Sequence, residues 1–170
     1  MRLLRTTSLV AASNALCDQL QQAREPATAF DAIGAATLQA IGPGLLTINA
    51  WHAGPAQIER LWSSDRSAYP VGGRKSKGDS AWRRQLLERG EVFVGEGDAA
   101  LAAVFDDVQV IRGLGCTAVV NVPLCYQSRV IGTFNYLADR SAWSPAELAA
   151  LRVLAALATP AVHALLAARG

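Results

Sequence analysis

The chain has 170 residues, of which 51% are hydrophobic, and a formal charge of +2. That is enough apolar material for one domain with a real core, and too little positive charge for general nucleic-acid binding, which needs a concentrated basic stripe. Metal binding fails on inventory: no cysteine pair has ligand spacing, and His52 and His163 lie far apart in sequence.

Arg2 and Arg5 ahead of Leu9-Val10-Ala11-Ala12 have the flanks of a signal peptide, but Ser13 and Asn14 cut the apolar run short. Leu16 before Cys17 is not the small residue that a lipoprotein cleavage site needs, so the reading is cytoplasmic. Residues 3 to 24 carry an apolar stripe through Leu9, Ala12, Leu16 and Leu20 and stop at Pro26, which predicts a helix. A second helix is predicted from Ala27 to Ile41, ended by Gly42-Pro43-Gly44. The period then changes to two: Leu46, Ile48 and Ala50 alternate with Thr47, Asn49 and Trp51, and Gly54-Pro55 turns the chain into a second strand from Gln57 to Ser64.

Residues 65 to 79 read as a long polar connection, and long loops in compact domains are usually functional or mobile. From Arg74 to Arg89, six cations (Arg74, Lys75, Lys77, Arg83, Arg84, Arg89) face Asp79 and Glu88; a solvated face is one meaning, an anionic ligand the other. The run Gly73-Arg-Lys-Ser-Lys-Gly78-Asp79-Ser80 has P-loop spacing, but Asp79 stands where a lysine must meet the phosphates, and a carboxylate there repels them. Asp79 or Ser80 caps a predicted helix through Leu87. Glu91 to Val94 is a short central strand, and 98–106 and 107–114 are two short helices.

Residues 117 to 137 form a hairpin. Val120, Val122 and Leu124 with Val130, Phe134 and Tyr136 make one face nearly all apolar; Val119, Asn121 and Pro123 with Ile131, Thr133, Asn135 and Leu137 make the other mixed. These sets share faces if the turn is the three residues Tyr126-Gln127-Ser128, which sets Asn121 opposite Thr133. The apolar face calls for helices; the mixed face has the composition of a small-molecule site or of a solvated surface. Ser144, Pro145 and Glu147 then open a helix with a capping box, and Leu148, Leu151, Leu154, Leu157, Ala158, Ala161 and Leu165 give it one stripe to bury. Arg152, Pro160 and His163 make it a packed helix and not a spanning one, and Pro160 is expected to kink it or break its ladder.

Asn121-Val-Pro-Leu, a short turn, Val130-Ile-Gly-Thr-Phe-Asn and Trp143-Ser-Pro-Ala-Glu-Leu followed by a long helix resemble the C-terminal half of a GAF domain. By order of elements the resemblance runs over roughly residues 27 to 168. It implies a GAF/PAS-like α+β fold: a central antiparallel sheet of about six strands, terminal helices on one face, and a ligand pocket on the other, roofed by short helices and loops. The whole chain, 1–170, reads as a single GAF domain divided into an N-terminal helix (1–26), helix, sheet and roof (27–143) and a C-terminal helix (144–170). No length remains for an output module, so signalling is expected through association, with the alanine-rich faces of 3–24 and 148–168 suited to a homodimer.

The family's free methionine sulfoxide reductases are similar in layout, but their substrate carboxylates correspond here to Val119, Asn135 and Leu137, and their catalytic cysteine falls near Arg112, with Cys116 displaced from it. Cys116 and Cys125 are separated by about 30 Å of strand, beyond disulfide reach. The bilin-binding Asp-Ile-Pro motif and the cyclic-nucleotide Asn-Lys-Phe-Asp signature are missing, so no cofactor is named. The pocket candidates are Trp51, Trp62, Tyr69, Trp82, Phe105, Asn121, Thr133 and Asn135, with Arg74, Lys75 and Arg83 as anion partners if the loop folds inward. The expected function is a small-molecule-binding sensory domain that binds a small organic ligand, with neither nucleic acid nor membrane as partner. A thiol-redox enzyme at Cys116 and a non-binding interaction module are the alternatives.

Overall fold

The computed structural model describes residues 6–169, with side chains from residue 12 onward. Two helices, Thr6–Gln22 (α1) and Pro26–Ile41 (α2), precede strands Leu45–His52 (β1), Gln57–Ser63 (β2) and Arg74–Ser76 (β3). A short helix Ala81–Arg83 (α3), which widens into a π-turn over Arg84–Glu88, leads to strand Phe93–Glu96 (β4) and to helices Asp98–Val104 (α4) and Val108–Gly113 (α5). The hairpin Ala118–Tyr126 (β5) and Arg129–Ala138 (β6) and the long helix Pro145–Ala167 (α6) complete the chain. Residues 3–5 of the expected first helix, and the side chain of Leu9, lie outside the described residues.

The six strands form one antiparallel sheet in the order β3-β2-β1-β6-β5-β4. Helices α1, α2 and α6 cover one face, where Leu16, Phe30, Ile33, Leu46, Ile48, Val120, Phe134, Tyr136, Leu151 and Leu154 share a core. The alternation read from β1 and β5 therefore places its apolar side under the terminal helices. Helix α6 starts at the expected capping box, with Ser144 Oγ accepting from Glu147 N (3.2 Å) and Glu147 Oε2 from Ser144 N (2.9 Å). It continues unbroken through Pro160, which sits on the exposed side where the lost N–H leaves the Ala156 carbonyl open to water. Helix α6 is the one described helix long and apolar enough to cross a membrane, and its stripe lies against the sheet.

Several local expectations are corrected. Strand β4 is an edge strand and not a central one. The supposed loop 65–79 contains β3, and its entry is a turn in which Asp65 Oδ1 accepts from Ser67 N (3.0 Å) and Ala68 N (3.0 Å). The β5–β6 turn has two residues, Gln127 (φ 48°) and Ser128 (φ 62°), as a type I′ turn requires. Face parity survives because a bulge at Ile131 restores the register, so Asn121 pairs with Asn135 and not with Thr133. The bulge also exchanges two side chains: Ile131 packs under the helices and Val130 with the roof. Cys17 and Cys125 are exposed and Cys116 is buried.

Candidate functional site

The opposite face of the sheet carries α3, the π-turn, α4 and α5. Leu45, Val119 and Leu137 pack with Leu101 and Ile111 at one end, and Trp51 and Ile58 with Trp82, Leu86 and Leu87 at the other. Between these two clusters lies a partly enclosed cavity of about 70 Å³, lined by strand residues Thr47, Asn49, Arg60, Lys75 and Asn135 and by Tyr69, Lys77, Trp82, Phe105 and Asp107.

The floor is held by amides. Trp82 Nε1 donates to Asn121 Oδ1 (2.9 Å), and Asn121 Nδ2 donates to Asn135 Oδ1 (2.8 Å). Asn49 Nδ2 donates to Thr133 Oγ1 (3.0 Å). Asn121 and Thr133 are fully buried and act beneath the cavity, Asn121 tying roof to floor through Trp82 and Thr133 tying β6 to β1 through Asn49. Asn135 lines the cavity, and its Nδ2 donor has no protein partner among the described residues.

Of the aromatic candidates, Tyr69, Trp82 and Phe105 line the cavity. Tyr69 OH donates to Asp107 Oδ2 (2.7 Å) and the Arg60 guanidinium lies 4.7 Å from its ring; burial and the Asp107 carboxylate push its pKa well up. Trp51 is packed beside the cavity under Arg83, whose guanidinium lies 5.6 Å from its ring. Trp62 is on the wrong face: a second bulge, at Leu61 in β2, leaves it under α2, stacked over Gly34 with Nε1 donating to Asp31 Oδ1 (2.7 Å).

The same bulge turns Arg60 and Ile58 toward the roof and Glu59 toward the helices. Arg74, proposed as an anion partner, pairs with Glu59 (3.2 Å) on the helix face, together with His52 (2.8 Å) and Arg169 (2.7 Å). Its neighbour Lys75 points the other way and pairs with Asp106 (3.1 Å) and Asp107 (3.9 Å). Lys77, two residues on, shares that side and lies 5.0 Å from the Trp82 ring. Burial lowers its pKa, and the Lys75 charge adds to the effect. Sequence reasoning missed Arg60 and Asp107 and named Lys77 only among the cations of 74–89; the period-two alternation from Lys75 was the available signal for Lys77, whereas Arg60 depends on a bulge that no residue type announces.

Cys116 is buried against the roof, and burial raises its thiol pKa, the reverse of what a nucleophile needs.

No curated protein matches the sequence. Among solved structures, the fold is similar to the GAF domain of a phosphoenolpyruvate-protein phosphotransferase from Coxiella burnetii (TM-score 0.76, 15% identity, 95% of this chain and 97% of that one). The corresponding domain from Acinetobacter is as near (TM-score 0.75, 12% identity, 96% and 98% covered). A phycoerythrobilin-bound GAF domain from a cyanobacterial phytochrome follows (TM-score 0.67, 13% identity, 93% and 96% covered). The GAF domain family profile matches residues 13–162, and the chain belongs to the GAF domain family.

Proposed function

We propose that this GAF domain is a sensory module that binds a small organic ligand in the cavity between β1, β6 and the α3–α5 roof. In this reading the chain works as one GAF unit, as a cytoplasmic homodimer through α1 and α6, with the bound state passed along those helices. Tyr69, Trp82, Phe105 and Asn135 contact the ligand; Asn121, Thr133 and Trp51 hold the wall behind them. The observation that carries the proposal is the cavity itself: aromatic and polar groups from β1, β2, β3, β6, α3, the end of α4 and the start of α5 converge on one partly enclosed space. At about 70 Å³ it admits a compact molecule and not one of the larger ligands that occupy pockets of roughly 300–1,000 Å³. The amphipathic stripe of α6 is used on the sheet, which favours a protein partner over a membrane. The raised Cys116 pKa counts against the thiol-redox reading.

Native mass spectrometry of fresh protein, followed by tryptophan-monitored melting against a metabolite panel, tests the proposal. The expected result is a co-purified mass, or a Tm that rises with the logarithm of ligand concentration. Indifference to the whole panel would replace the sensor with an interaction module whose cavity is filled by its own side chains.

A further inference from the structure

The cavity wall is unevenly charged. Three cations, Arg60, Lys75 and Lys77, line it with one carboxylate, Asp107. Asp107 already accepts from Tyr69 OH and lies 3.9 Å from Lys75. Among the described residues the other acid nearby is Asp106, mostly exposed, and it pairs with Lys75. Arg60 is placed over Tyr69 with one guanidinium nitrogen donating to Pro70 O (3.2 Å), yet its buried Nε has no partner. Among the described residues no carboxylate pairs with Lys77, whose contact is the Trp82 ring. Half-burying an ammonium with no carboxylate in contact is unfavourable; the charges of Lys75 and Arg60 add to the cost, and those of Asp106 and Asp107 offset part of it from a distance.

Resting on the ligand-binding reading above, we propose that the ligand is a compact anion, a carboxylate or phosphate, whose charged group is taken by Lys77 between Lys75 and Arg60. The Nδ2 donor of Asn135 supplies a neutral hydrogen bond from the floor, and Tyr69 and Trp82 give the apolar walls for the rest of the molecule. Cavity volume sets the size class and the cation excess sets the charge.

The test uses calorimetry on the full chain with acetate, benzoate and inorganic phosphate, and with acetamide and benzamide as uncharged counterparts of the two acids. At least one anion is expected to bind in the millimolar range or tighter, about tenfold or more above its amide. Carboxylate against phosphate separates the two sources of charge. Lys77→Met, which keeps the stem over Trp82, is expected to abolish the preference for the anion while leaving Tm unchanged or raised, and Lys77→Gln serves if the methionine variant does not fold. Arg74→Gln, which removes a cation from the other face of the same strand, is expected to leave anion binding intact. Acid and amide binding equally well, or a neutral metabolite binding where all three anions fail, would overturn the anion proposal and leave the sensor standing. Failure of every probe, charged or neutral, would take down both.

Discussion

Asn121 is fully buried and has both ends of its amide engaged, one with the Trp82 indole and one with Asn135. A polar group in such a place is tolerated because it is satisfied, and removing it leaves its partners' donor and acceptor stranded. Asn121→Ala is therefore expected to cost about 2–4 kcal/mol in urea denaturation and to shift Trp82 emission to the red. A loss under about 0.5 kcal/mol would mean that water replaces the amide, and the roof would not depend on it. Period-two reading put Asn121 on the correct face, since alternation is a property of any strand. It could not show that the amide faces an indole instead of a ligand, because that depends on α3, whose approach is set by packing of Leu86 and Leu87.

The strands teach the same distinction at the level of whole elements. Lengths, caps and face parity are local properties, and β1, β5, α2 and α6 were legible from them. Two bulges, at Leu61 and Ile131, are not local in this sense: each is a compromise between strand twist and the neighbours' packing, and each reverses the facing of the residues beyond it. Trp62 was assigned to the pocket without the bulge in β2, and Arg74 on the expectation that a loop over 65–79 folds inward, where β3 turns it to the helix face. The result on the helix face is an ionic cluster around Glu59, whose side chain is 8% exposed. Burial alone would raise this carboxyl's pKa, but hydrogen bonds from Arg169 and His52 and the charges of Arg169 and Arg74 outweigh it and hold it below the ordinary glutamate value. A lowered native pKa means that the carboxylate contributes stability above the unfolded value, and that this contribution disappears as pH falls through the native one. Urea stability measured from neutrality down to about pH 3 is thus expected to fall on the acid side, and Glu59→Gln to be less stable at neutral pH with a flatter acid limb. An acid limb unchanged in the variant would place the titration elsewhere.

For the molecule as a whole, the layer order is what the chain's pattern implies: apolar stripes on the terminal helices, an apolar sheet face beneath them, and a mixed face under short helices. What remains outside the core is a second stripe on α6, Ala149, Val153, Ala156 and Pro160, with Val153 61% exposed. Two-fold symmetry would set this stripe against its own copy, as in a helix bundle. Sedimentation velocity is expected to give a dimer, and Val153→Arg, which puts a charge at the centre of the stripe, to give monomers with unchanged Tm. A wild-type monomer at all concentrations, or a dimer indifferent to Val153→Arg, would remove α6 from the interface. The three-residue strand β3 has its own bearing on how the molecule can be altered. Arg74 grips Glu59 below the sheet, Lys75 grips the acids above it, and β2 is its single strand neighbour, so β3 behaves as a rivet with a head on each side. Clipping one head leaves the other to hold the edge. Clipping both leaves β3 to its backbone bonds with β2 alone, so the two losses together are expected to exceed their sum.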